Sequence, residues 1–382
     1  MQRLFALLAA GSLLFGSELF AQISSARVTI KLSAPTLNDS TKVYIAGSTP
    51  RLGSWNPSAV AMESLGNRTW QISFVEAAPT SIEYKLTLGS WDTEATASDG
   101  SKMPNFSVNV VKDTVISLEI KRWSNGVKKT IVGGITGEVV YHKKLSGKGI
   151  AARDIVVWLP KGYHKSKAKR YPVLYLHDGQ NIFDPRTSSF GADWRVDEAA
   201  DSLIKAGKVA PFIVVGIYNT PDRMREYVPG ELGSAYMSFV AERVKPFIDS
   251  AYRTKKEAKY NAVGGSSAGG IISFMLAWEY PNLFGKAICM SPAFKIEHID
   301  YVKVVNQYQG PKKPLFFYID NGGVGLEARL QPGIDDMLKA LELKGYCLSK
   351  DYFWFKDEEA QHNEPAWAKR MPAAIELVMP RR

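Results

Sequence analysis

The chain is poor in cysteine. Cys289 and Cys347 are the only two in 382 residues. That excludes a disulfide framework and any metal site built on paired cysteines. Cys289 sits in the apolar run 287–290 and reads as a buried thiol, although a Cys289–Cys347 bridge stays open. Long apolar runs are also scarce. After residue 15 no stretch approaches the roughly 18 residues needed to span a bilayer, so no membrane span is expected. The formal charge is +10, but it is scattered, and no block of five or six like charges exists. There is no basic stripe interleaved with aromatics, so a nucleic-acid partner is not expected. Internal repeats and low-complexity segments are absent.

What remains is an ordinary globular composition, 45% hydrophobic and 23% charged, long enough for two domains. Arg3 followed by the apolar stretch 4–15 and the small residue Ala21 has the form of a secretory signal peptide over residues 1–21. That implies a periplasmic or extracellular protein. Residues 22–122 carry short alternating runs at 28–32, 42–46, 70–74, 82–86 and 115–120, separated by turn clusters. This pattern predicts an all-β, immunoglobulin-like sandwich. Residues 123–134, punctuated by Asn125-Gly126 and Gly133-Gly134, read as a linker. From 135 to 382, apolar strand candidates alternate with helical patterns. Strands are expected near 139–141, 155–159, 173–176, 212–217, 262–264, 287–290, 315–319 and 352–355. Helices are expected at 195–206, 235–250, 268–279, 333–343 and 365–371. Such alternation predicts a mostly parallel sheet covered by helices on both faces.

Gly265-Ser266-Ser267-Ala268-Gly269 matches G-x-S-x-G between a strand and a helix candidate, the setting in which that motif presents a nucleophile. A serine on a tight, strained turn needs neighbours without Cβ atoms, which the glycines supply. Ser267 is therefore the candidate nucleophile, with the Ala268 N–H at a helix start suited to a developing oxyanion. A flexible Gly/Ser turn is the plain alternative. The chain has five histidines. In this architecture the order is serine, acid, histidine, and of the two that follow Ser267, only His362 leaves room for a strand and an acid before it. The acid belongs on the loop after 315–319. Glu327 lies beyond the glycine-rich 322–325, and Asp320 at the strand end is the alternative. A second oxyanion donor is expected at the turn His177-Asp178-Gly179-Gln180, from Gly179 or Gln180. Asn219, Arg223, Glu226 and Tyr227 follow another strand end and could line the pocket; for Arg223 and Glu226 a surface ion pair reads equally well.

The runs Pro172 to Asn181, Gly265 to Gly270, and His362-Asn363-Glu364 with Trp367 together resemble the putative-esterase family of α/β-hydrolases, which includes enterochelin esterases, feruloyl esterases and esterase D. The resemblance covers about residues 135–380. It implies an α/β-hydrolase domain, a Ser267–His362 pair with an acid, and no metal or organic cofactor. The family's acid usually follows a Gly-Thr pair, for which this chain has Gly322-Gly323-Val324-Gly325. The first domain resembles a starch-binding domain of carbohydrate-binding module family 20, through Val43 to Gly47, Leu52 to Pro57 and Ile82 to Lys85. That resemblance implies a sugar site at Trp55 and Lys85; Trp91 is the candidate for a second stacking ring. Together these suggest a secreted carboxylic ester hydrolase acting on an acetyl or feruloyl ester of a carbohydrate. A siderophore trilactone is the alternative substrate. A non-catalytic glycan-binding protein is the alternative of another class.

Overall fold

The computed structural model describes residues 24–100, 103–124, 134–189 and 191–381. The signal-peptide reading of 1–21 lies outside the described residues, as does most of the 123–134 linker. The chain divides into two compact units, 1–127 and 128–382.

The first unit is a β-sandwich of two four-stranded sheets. One contains the strands Glu63–Gly66, Thr69–Ala78, Ser24–Ser33 and Thr114–Glu119 in that order. The other contains Val60–Ala61, Tyr44–Gly47, Thr80–Thr87 and Phe106–Val110. Val28, Ile30, Leu32 and Trp70 of the first sheet share one buried core with Ile45, Ile82, Tyr84 and Leu86 of the second. Alternation along each strand produces this, since every second side chain faces inward.

The second unit is an eight-stranded sheet. In chain order its strands are β1 (Glu138–Gly147), β2 (Ile150–Leu159), β3 (Val173–His177), β4 (Ile213–Ile217), β5 (Asn261–Ser266), β6 (Lys286–Met290), β7 (Phe316–Gly322) and β8 (Tyr352–Asp357). Their order across the sheet is β1-β2-β4-β3-β5-β6-β7-β8. The pairs β1–β2 and β2–β4 are antiparallel, and all others are parallel. All eight strands lie where the apolar runs put them. On β3, Val173 and Tyr175 enter one buried core while Leu174 and Leu176 enter the other. That two-sided burial is why these strands read as unbroken apolar runs.

Two helices are longer than their patterns suggested. Leu326–Leu343 passes through Pro332, and Glu364–Val378 passes through Pro372. A proline removes one helical hydrogen bond and usually marks an end. Here burial of Leu330, Ile334, Met337 and Leu341 in one helix, and of Met371, Ala374, Ile375 and Val378 in the other, carries the helices past it. Both cysteines are free, Cys289 buried and Cys347 exposed, so no bridge joins them.

Candidate active site

The site forms at the carboxyl ends of β3, β5, β6 and β7, where open parallel sheets place their ligands. Ser267 follows β5 and precedes the helix Ala268–Glu279. Its φ and ψ are 58° and −121°, a conformation that costs a non-glycine residue about 1–3 kcal/mol. The surroundings enforce it. A Cβ on Gly265 would lie 2.6 Å from the Gly269 carbonyl oxygen, and one on Gly270 would lie 2.9 Å from that of Met290. The Ser267 N–H donates to the Met290 carbonyl at 2.9 Å.

The turn after β3 abuts this elbow. A Cβ on Gly269 would stand 3.3 Å from Asp178 Oδ2 and 3.6 Å from His177 Cβ. Gly179 itself packs on β4, where a Cβ would come within 2.4 Å of the Gly216 carbonyl carbon. Gly179 and Gln180 form a buried turn, and the Gln180 side chain accepts from the Asn219 N–H at 3.2 Å. Gly179, Gln180 and Ala268 thus occupy neighbouring turns at one end of the sheet.

His362 precedes the helix Glu364–Val378, which Asn363 caps by accepting from the Ala366 N–H at 3.0 Å. His362 Nδ1 lies 3.3 Å from Glu327 Oε1, and the His362 ring meets that of Trp367 edge-on at 4.9 Å. Glu327 is fully buried in the first turn of its helix. Burial pushes its carboxyl up, but His362 and the Ser291 hydroxyl outweigh that and hold it below the usual range. Asp320, the other candidate acid, faces elsewhere. Its Oδ2 lies 3.0 Å from Arg370 Nε and accepts from the Tyr318 hydroxyl at 2.9 Å. Burial dominates there and lifts its carboxyl to about 6.

The residues expected to shape the turn after β3 and to line the pocket have partners that their own segments do not signal. Asp178 binds Arg223 through both oxygens, at 2.6 and 2.7 Å, and accepts from the Asn219 side chain at 2.6 Å. Burial opposes its ionisation, but Arg223 and Asn219 keep its carboxyl below the usual range. Burial pulls His177 down to about 3, so it stays neutral, with Nδ1 2.7 Å from the Tyr236 hydroxyl. Arg223 and Glu226 form no surface pair with each other. Glu226 is buried on Arg153, at 2.6 and 2.9 Å, and lines no part of the elbow contacts above. Ser291 and Arg370 carried no motif at all.

Among the described residues one group of carboxylates comes within metal-ligand reach, Asp193, Asp197 and Glu198, within 4.8 Å of one another. They sit at the start of the helix Val196–Lys205, where the Thr136 N–H and hydroxyl donate to Asp197 and Arg195 holds the other two. In the first unit Lys85 is drawn into an ion pair with Glu94 at 2.7 Å and also donates to the Met103 carbonyl at 3.1 Å. Trp55 and Trp91 are both half-buried.

Residues 151–378 match the family model described as Putative esterase. The chain belongs to this esterase family. Residues 25–115 match the Starch binding domain model. An endo-1,4-beta-xylanase/feruloyl esterase from Xylanibacter ruminicola is 28% identical over 183 residues, 43% of this chain and 24% of that protein. The protein YjcH of Bacillus subtilis is 30% identical over 168 residues, 43% of this chain and 66% of YjcH. The match therefore spans less than two thirds of either relative. A ferulic acid esterase structure shares the fold over 64% of this chain and 99% of its own, with a TM-score of 0.53 and 20% identity. The enterobactin esterase FES of Shigella flexneri does so over 92% of both chains, with a TM-score of 0.54 and 13% identity.

Proposed function

We propose that this esterase is a serine hydrolase of carboxylic esters, with Ser267 as nucleophile, His362 as base and Glu327 as acid. The observation that carries the reading is the 3.3 Å approach of Glu327 Oε1 to His362 Nδ1, at the sheet end that bears the strained Ser267. In this reading Ser267 Oγ attacks the ester carbonyl while His362 Nε2 takes its proton. Glu327 fixes the tautomer, with the proton on Nδ1, and supports the imidazolium. The Ala268 N–H and an N–H of Gly179 or Gln180 face the oxyanion; one such donor is worth about 10²–10³ in rate. His362 returns its proton to the leaving alcohol, and a water, activated in the same way, releases the acid.

The substrate proposed is an acetyl or feruloyl ester on a carbohydrate. The starch-binding-domain match and the feruloyl-esterase relative support it, and Trp55 and Lys85 are proposed to hold the polysaccharide. Secretion by way of residues 1–21 completes the reading. The test is a rate comparison on p-nitrophenyl acetate, feruloylated and acetylated xylan, and a trilactone siderophore. Turnover of the xylan esters, lost in Ser267→Ala, supports the reading. Preference for the trilactone would move the substrate and leave the mechanism standing.

A further inference from the structure

The turn Met290-Ser291 at the end of β6 touches the Ser267 and Glu327 limbs of the proposed triad and the Trp367 ring that meets His362. The Met290 carbonyl accepts the Ser267 N–H at 2.9 Å. Ser291 Oγ lies 2.7 Å from Glu327 Oε1, the same oxygen that faces His362. Ser291 Oγ also lies 3.1 Å from Trp367 Nε1 and 3.0 Å from an Arg370 nitrogen. Indole and guanidinium groups are donors only. Both lone pairs of the hydroxyl are therefore occupied, and its single proton has one destination, Glu327.

Ser291 is fully buried and held at φ 44°. Its own N–H donates to the Asp320 carbonyl at 2.9 Å and approaches Asp320 Oδ1 at 3.2 Å. A non-glycine residue stays in that conformation only where its surroundings over-determine it. The charged groups around the hydroxyl are Glu327, Asp320 and Arg370. Arg370 pairs with Asp320 through Nε and reaches the hydroxyl through another nitrogen.

From this we infer that Ser291 is a positioning residue for the esterase reaction: one hydroxyl orients two groups that meet the His362 ring, the Glu327 carboxylate at Nδ1 and the Trp367 indole edge-on. The inference rests on the triad reading above. It gives the Arg370–Asp320 pair a role as well, because Arg370 directs the second lone pair of Ser291 and so the proton toward Glu327.

The test is a double-mutant cycle in the full chain on p-nitrophenyl acetate. Ser291→Ala should lower kcat about tenfold, the rate equivalent of one hydrogen bond to a charged group, with KM within about twofold. In the Glu327→Gln background the same change should cost less than about twofold, because the carboxylate it positions is gone. Ser291→Gly removes the hydroxyl and suits the positive φ, so it keeps the fold while losing kcat in the same way. Equal losses from Ser291→Ala with and without Glu327→Gln would overturn the positioning role, as would full activity in Ser291→Gly. If Ser267→Ala retained activity, the triad reading would fail instead, which is a separate result.

Discussion

Glu327 Oε1 stands 3.3 Å from His362 Nδ1, while Asp320, inside β7, turns away to Arg370. The two carboxylates, both fully buried, are thereby assigned different tasks. Glu327→Gln should reduce kcat about 10²–10⁴-fold, as expected when the group that fixes the histidine tautomer is lost. Asp320→Asn should act first on stability, since it leaves Arg370 buried without its anion. Kinetics on an aryl ester, with thermal melts of both variants, separate the two. An Asp320→Asn variant more crippled in kcat than Glu327→Gln would reverse the assignment.

Asp178 and Arg223 form a bidentate pair beside the Ser267 turn, with an Arg223 nitrogen 3.5 Å from the Ser266 carbonyl. Removing one partner of a buried pair costs about 3–5 kcal/mol. Arg223 keeps 24% of its side chain exposed, so the lower end is expected. Arg223→Met should lower the melting temperature and lose activity. Asp178→Asn should also cost stability, since the amide keeps one acceptor where Arg223 and Asn219 use both carboxylate oxygens, but less than Arg223→Met, because the charge it leaves is the partly exposed Arg223 and not the buried Asp178. Melts and kcat on the two variants check the order.

How far these residues were legible differs by residue. The turn at Ser267 and its glycines could be read because a tight, strained strand-to-helix turn has few sequence solutions. His362 emerged because histidines are few and chain order excludes most of them. Glu327 could be favoured only by loop geometry, and its separation from Asp320 depends on Arg370, which lies in the expected helix 365–371 but gives no signal there of its buried partner. Ser291 follows a strand in Met290-Ser291-Pro292, where a serine has no signal of its own. Its part depends on Trp367, Arg370 and Glu327 arriving from two distant helices. Glu226 is paired, as one of its two readings had it, but the pair is buried and its partner is Arg153 of β2, which nothing in the segment of Glu226 signals. The strand runs themselves were clear, since burial on both faces leaves an unbroken apolar signature. The swap of β3 and β4 across the sheet leaves none.

Asp197 supplies a pH prediction. Burial, helped by Glu198 and opposed by Thr136, lifts its carboxyl from 3.8 to about 7. The folded state then holds a proton that the unfolded chain releases. Stability conferred by that proton is lost as pH rises from about 4 to 7. Asp197→Asn can keep the Thr136 bonds through its carbonyl and donate to Glu198 through its amide. It should raise stability at pH 8 by at least about 1 kcal/mol and flatten the decline below pH 7. Urea melts across that range test this; a less stable variant at pH 8 would contradict it.

In the sandwich unit, Lys85 uses two of its donors on Glu94 and the Met103 carbonyl. Lys85→Ala should therefore destabilise that unit by about 1 kcal/mol as well as weaken glycan binding. Trp55→Ala should weaken binding and also cost some packing in that unit, since Trp55 is half-buried. Retention on insoluble starch and xylan, paired with melts, tests both. Retention unchanged in Trp55→Ala would remove Trp55 from the proposed site.

The central claim is that Ser267 is an activated nucleophile. Labelling with a fluorophosphonate probe, followed by peptide mapping, tests it most directly, because only a serine served by a base and an oxyanion hole reacts rapidly. One adduct is predicted, on the peptide carrying Ser266 and Ser267. It should be lost in Ser267→Ala, kept in Ser266→Ala if that variant folds, and strongly slowed in His362→Ala. No adduct on the folded protein, or an adduct that survives Ser267→Ala, would contradict the account.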